Sequence, residues 1–323
     1  MKNPASAKEK KQEEKSSNRD FALSTSWNAF RHTHAEKMIF EIKKSGFQKI
    51  ELSFNLTASM IKTIIRLVKD KAIIVDSIHN YCPIPEGMNR REALPDCYSM
   101  ASLNEAQRKK AVYYTKKTIE TAKSLQAKVV VLHTGRVELP DKTRNLIHLC
   151  QNGLKNSKDY KHLKKEAIAE RKRISGNFFR NALRSLDELN GFAVKKNILL
   201  GIENRFYYRE IPKFDELGII FDKFKGGNIR YWHDTGHAQI MEKLGFSSQK
   251  DALCAYAKEL IGFHLHNVSD FQDHKAPSEG EIDFGSFKKY LKQDTLKVIE
   301  AHHPATSKQL KESIILLKNR LYA

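Results

Sequence analysis

The sequence predicts an α/β chain folded as a (β/α)8 TIM barrel, and three observations lead there. Eight short, β-branched apolar runs alternate with helical periods along the 323 residues. Each of the last six runs ends at or beside a histidine or a carboxylate. No run is followed by GxGxxG or a Walker-type GxxxxGK, so the doubly wound open sheet, the other arrangement such alternation allows, lacks its usual phosphate-cradling loop.

In chain order, residues 1–20 hold 6 Lys and Arg, 4 Asp and Glu and almost no large apolar residue, and read as a disordered basic tail. The rest, 21–323, reads as one barrel domain. Its strands are expected at 21–25, 49–54, 73–78, 128–133, 198–203, 229–234, 261–266 and 296–300. Helical spacing recurs in Val112, Thr115, Ile119, Ala122 and Leu125, again in Phe214, Leu217, Phe221 and Phe224, and again in Leu310, Ile314, Leu317 and Leu321. Two connections are long for turns: 83–103 after the third strand and 135–165 after the fourth. Both follow the strand ends where barrel enzymes place their sites, so both are expected to be lid loops.

Composition closes several alternatives. With 40% hydrophobic residues the chain can bury a large core, which excludes wholesale disorder. No apolar run approaches the roughly 18 residues of a membrane span, and the N-terminus lacks the apolar stretch of a secretory signal. Cys82, Cys97, Cys150 and Cys254 form no CxxC pair and read as reduced thiols of a cytoplasmic protein. The net charge of +19 favours anionic partners, and residues 141–196 hold 14 Lys and Arg against 6 Asp and Glu. A solvated helix face explains that insert as well as a phosphate track does.

The functional signal lies where polar residues end apolar strands. His79, His133, Glu203, Asp234, the pair His264 and His266, and Glu300 close six consecutive strands. Burying such groups costs several kcal/mol unless they are paired or hold a cation. Closing a barrel aims all six strand ends at one point, and His, Asp and Glu without cysteine suit Mn, Co, Mg or Zn.

The segments HNY, HTG, IEN, HDTGH, HLHN, DHKAPSEGEIDF and VIEAHH resemble the xylose-isomerase-like TIM-barrel superfamily over roughly residues 21–321. That group includes sugar (phosphate) isomerases and epimerases and the endonuclease-IV-type AP endonucleases. The resemblance to the epimerase branch implies one divalent metal held by Glu203, Asp234, His266 and Glu300. It also implies that Glu203 and Glu300 exchange a substrate proton through a metal-bound enediolate. His237 would contact substrate oxygen. Arg205, two residues from Glu203, would bind a hydroxyl, carboxylate or phosphate. From the residues themselves, Trp232 reads as a core or substrate-wall aromatic and His302 as lining the pocket.

The endonuclease branch implies two or three zincs, with His79, His133 and His274 as further ligands. Here Gln272 stands where that branch has an aspartate, with Asp273 one residue late, and bulky Arg205, Phe206, Tyr207 and Tyr208 stand where it has small residues. The expected function is therefore a metal-dependent isomerase or epimerase of a small sugar, sugar phosphate or hydroxy-keto acid, a lyase or dehydratase using the same first step. A zinc phosphodiesterase on abasic DNA is the alternative, and a non-catalytic binding module is a third class. The expected partner is a small polyol or sugar phosphate; nucleic acid is the weaker expectation, and a homodimer through surface helices is a further one. Glu51 and Asp76 remain unassigned between orienting a ligand histidine and ordinary hydrogen bonding.

Overall fold

A computed structural model describes residues 20–322. The tail expected at 1–20 lies outside the described residues, Asp20 apart. The strands are β1 (Ala22–Ser24), β2 (Lys49–Leu52), β3 (Ile74–His79), β4 (Val129–Leu132), β5 (Leu199–Glu203), β6 (Ile229–Asp234), β7 (Leu260–Leu265), β8 (Asn267–Ser269), β9 (Gln272–Lys275) and β10 (Leu296–Ile299). All but β8 and β9 form a closed parallel barrel in chain order, with β10 pairing back onto β1. The eight expected runs thus become its eight strands. β8 and β9 make a small antiparallel ribbon beyond β7.

Around the barrel lie α1 (Ala35–Lys44), α2 (Ala58–Lys69), α3 (Glu105–Leu125), α4 (Lys142–Gln151), α5 (Lys158–Lys196), α6 (Phe214–Lys223), α7 (Thr235–Lys243), α8 (Gln249–Tyr256) and α9 (Ser307–Tyr322). Capping sets several starts. Thr57, Asn104 and Ser157 accept from Met60, Gln107 and Tyr160 backbone N–H groups at α2, α3 and α5. The three periodic apolar faces expected from sequence are the buried faces of α3, α6 and α9, except that Phe214 at the start of α6 is exposed. Among the described residues no helix is long and apolar enough to cross a membrane.

Side chains inside the barrel stack in layers, because alternate residues of a strand share a face. The floor is a buried cluster of Ala22, Val129, Val131, Trp232, Leu296 and Val298. Trp232 fits because its neighbours are glycines. A Cβ on Gly262 would run into the indole, and one on Gly201 would sit 3.2 Å from Trp232 Cβ. Two residues further up the same strands come Glu203, Asp234, His264 and Glu300. A register shift between Tyr231 and Trp232 sets Asp234 opposite His264.

The two long connections differ. Residues 80–104 after β3 are irregular, and Arg90 ties them down by donating to Asn55 O and His32 O at 2.8 and 2.6 Å. The stretch 135–165, expected to be a loop, is largely helical. Asp141 caps α4 by accepting from Thr143 and Arg144 N–H groups, and Ser157 starts the 39-residue α5. Buried Arg171 of α5 makes a bidentate pair with Glu216 of α6, both bonds 2.8 Å, fixing the long helix to the barrel wall.

Candidate metal centre

The centre is built around His264, which is fully buried one layer above Trp232. Its Nδ1 lies 2.6 Å from Glu203 Oε1, 3.0 Å from Glu300 Oε2 and 3.6 Å from Asp234 Oδ2. Its Nε2 lies 3.0 Å from Oε1 of Glu51, whose other oxygen accepts from Ser77 Oγ at 2.7 Å. Burial opposes a charge on the ring, but Glu300, Glu51 and Glu203 outweigh it and hold His264 well above the usual histidine range. Its two ring nitrogens thus lie among four carboxylates.

On one side, Glu203 Oε2 meets His133 Nε2 at 2.7 Å, Arg205 Nη1 at 3.0 Å and His79 Nε2 at 3.8 Å. Burial alone would raise this carboxyl; His264, His133 and His79 outweigh it and keep it ionised. Asp96, from the loop after β3, closes the group, with its oxygens 3.2 Å from His133 Nδ1 and 3.4 Å from Arg205 Nη2. Arg205 also donates to Glu210 at 2.8 Å.

On the other side, Asp234 has two tasks. Its Oδ1 caps α7 by accepting from His237 N at 2.7 Å, and both its oxygens lie 2.9 Å from His266 Nε2. Gly236 leaves room for that ring, since a Cβ there would collide with it. His266, His274 and His302 stack in sequence, at 4.3 and 3.9 Å between ring centres. Asp273 Oδ2 is 3.0 Å from His274 Nδ1 and 3.9 Å from His237 Nε2. Against burial, Asp273 and Glu300 push His274 up to about 9.

Four overlapping groups have ligand atoms within 4.8 Å of one another: Glu203, Asp234, His264 and Glu300; His79, His133 and Glu203; Asp234, His237, His266 and His274; and His274, Glu300 and His302. Buried nitrogen and carboxylate donors without sulfur are what a hard to borderline divalent cation takes, so these residues fit a metal.

Residues 39–320 match the family described as xylose isomerase-like TIM barrel. The chain belongs to that family. No curated protein matches its sequence. Among solved structures, a D-tagatose 3-epimerase-like protein is 19% identical with TM-score 0.63, covering 94% of this chain and 97% of that one. The apo form of 3-keto-D-glucoside 4-epimerase from E. coli is 13% identical with TM-score 0.65, covering 93% and 99%. IOLI protein with a binding zinc atom is 12% identical with TM-score 0.64, covering 94% and 100%. Likeness at such identities speaks for the fold.

In this xylose isomerase-like barrel, Glu203, Asp234, His266, Glu300, His79, His133, His237, His274 and His302 all come together at the strand ends. Arg205 is there too, but its guanidinium nitrogens Nη1 and Nη2 face Glu203, Glu210 and Asp96. Trp232 differs from its expectation as a substrate wall: it is fully buried in the floor, because Gly201 and Gly262 make room for it there. Of the unassigned pair, Glu51 joins the centre, whereas Asp76 pairs with Lys49 at 3.3 Å. Asp96, Glu210 and the central place of His264 escaped the sequence reading. The spacing Gly262-x-His264, which repeats Gly201-x-Glu203, was the available signal for the last.

Proposed function

We propose that this barrel is a divalent-metal-dependent isomerase or epimerase of a small sugar, sugar phosphate or hydroxy-keto acid. One observation carries the reading: two glutamates from different strand ends, Glu203 closing β5 and Glu300 just past β10, converge on the same atom, at 2.6 and 3.0 Å from His264 Nδ1. Paired carboxylates facing one point suit removal of a proton by one and its return by the other. The epimerases and the zinc-holding protein among the similar structures support it.

A cation held by Glu203, Asp234, His266 and Glu300 would polarise the oxygens of a bound carbonyl and hydroxyl. His264 sits beneath with both ring nitrogens against carboxylates, so it acts as their counter-charge and positions Glu203 and Glu300. Arg205 and Asp96 hold Glu203 and His133 in place from the other side. His237 and His302 stand at the rim as substrate contacts. Free cysteines suit a cytoplasmic setting.

The test is proton exchange. The metal-loaded protein, given a panel of ketoses and hydroxy-keto acids in D2O, should incorporate deuterium beside the carbonyl, and Glu300→Gln should abolish this. A panel with no exchange at all would defeat the reading.

A second reading, a zinc phosphodiesterase on abasic DNA, has an observation of its own. His79 and His133 form a second ligand group that shares Glu203 with the first. Two or three zincs per chain together with cleavage of an abasic oligonucleotide would place it above the isomerase.

A further inference from the structure

A cavity of about 270 Å³ lies on the barrel flank, between the segment after β5 and helices α7 and α8. It contains none of the centre's proposed ligands, yet its inner wall is their back side. Asn204 in that wall donates Nδ2–H to Asp234 O at 2.9 Å and accepts from Asp234 N at 2.8 Å. Arg205 beside it donates to Glu203 at 3.0 Å.

The outer wall is aromatic. Tyr208 and Phe246 stack at 4.1 Å between ring centres, and Leu217 and Met241 extend the apolar surface. The charges are already matched: Arg205 faces Glu203, Glu210 and Asp96, and Lys213 Nζ is 3.1 Å from Asp215. An anion entering here would find no cation without a partner. What remains is a set of hydrogen-bond donors. Arg205 Nε has no partner among the described residues but is sealed from the cavity, so the donors are those of Gln249 and Ser247. Gln249 Oε1 is taken by His233 Nε2 at 2.9 Å, which leaves its amide N–H groups for another acceptor. Ser247 adds a hydroxyl.

We propose that this cavity is a second binding site, for an uncharged hydroxylated ring such as a pyranoside. The apolar wall of Leu217, Met241 and the edges of the stacked Tyr208–Phe246 pair meets the C–H groups of such a ring, and the donors take its oxygens. The volume of about 270 Å³, just below the roughly 300–1,000 Å³ of ligand pockets, limits the occupant to one ring. Through Arg205 the occupant sits one side chain from Glu203.

Saturation-transfer NMR with methyl β-D-glucopyranoside tests this, on the protein as purified and after chelation, with glucose 6-phosphate as the charged control. The expected result is millimolar binding of the pyranoside with and without metal. Ser247→Trp should abolish it, Tyr208→Ala should weaken it at least fivefold, and His266→Asn should leave it unchanged. Circular dichroism establishes that each variant folds. Three results overturn the site: no transfer to the pyranoside, equal transfer in both cavity variants, or tighter binding of the phosphate. Loss of binding in His266→Asn would assign the ligand to the metal centre instead. Because the chelated protein is read, failure of the isomerase reading leaves this outcome independent.

Discussion

Nδ1 of His264 and Oε1 of Glu203 meet at 2.6 Å with both side chains buried. The imidazole thereby lies under the carboxylates proposed to hold a cation, and those carboxylates raise its pKa. Without a counter-charge, Glu51, Glu203, Asp234 and Glu300 would repel one another in a medium where such repulsion is poorly screened. His266 differs from its neighbour. It stands at the barrel mouth, beside Asp234 and under His274.

Metal content should separate the two histidines. His266→Asn is expected to lower the affinity for Mn or Co at least tenfold, the scale of losing a ligand or its close support. His264→Gln should retain one metal per chain but lose most of its turnover, because Glu203 and Glu300 lose their shared donor. Plasma mass spectrometry after gel filtration reads the first and a sugar-exchange assay the second. The opposite ranking of metal loss would make His264 the ligand.

Glycines give a paired test of packing. Gly236→Ala would drive a methyl into the His266 ring, so a loss of about 1–3 kcal/mol with impaired metal binding is expected. Gly191→Ala, inside α5 with nothing within 4 Å of the added carbon, should stabilise by up to about 1 kcal/mol. Urea unfolding of the two variants measures both signs.

Much of this was legible in the residues. β-branched runs bounded by polar and turn residues mark all eight strands, and the strand-end His, Asp and Glu mark the centre. Depth was less legible. Trp232 and Gly262 lie two residues before Asp234 and His264, so the period of two orders each strand internally. Ordering the strands against one another depends on the register shift at Tyr231 and Trp232, which no local pattern shows. Asp96 escaped for another reason. It reaches His133 from 37 residues away in an irregular loop, and such contacts have no periodicity to reveal them. In 135–165 the caps Asp141 and Ser157 were present as helix-start signals, but the polar run between strands read as a loop.

His233 makes stability depend on pH. It is buried between Tyr231 Oη at 2.7 Å and Gln249 Oε1 at 2.9 Å, and burial pushes it down to about 4. The unfolded chain takes up this proton near pH 6.5, the folded chain only near 4, so unfolding binds protons in between. The contribution is complete above about 6.5 and is lost as the pH falls toward 4, by about 2 kcal/mol at pH 5. Denaturant titrations at pH 7 and 5 should show a fall in the wild type that is smaller in His233→Gln. Parallel curves would mean that His233 is not the group responsible.

The basic face of α5 supplies a test between the two readings of the centre. Lys142 pairs with Glu166 and Glu170, both at 2.8 Å, which removes the nearest carboxylates from that face. Lys158, Lys161, Lys165 and Lys172 are left exposed, with no ion pair among the described residues. If the substrate is a neutral sugar, changing all four to glutamine should leave kcat/KM within about twofold, since screened surface charges act over roughly 10 Å. If the substrate is DNA, each lost phosphate contact should reduce the salt dependence of binding by about one unit of slope. Affinity for a duplex oligonucleotide, measured from 50 to 200 mM salt, reads that slope directly. A steep slope that flattens in the variant would assign the long helix to a nucleic acid and shift the weight onto His79 and His133, whereas weak binding with no change in slope leaves the helix a solvated surface and the sugar reading in place.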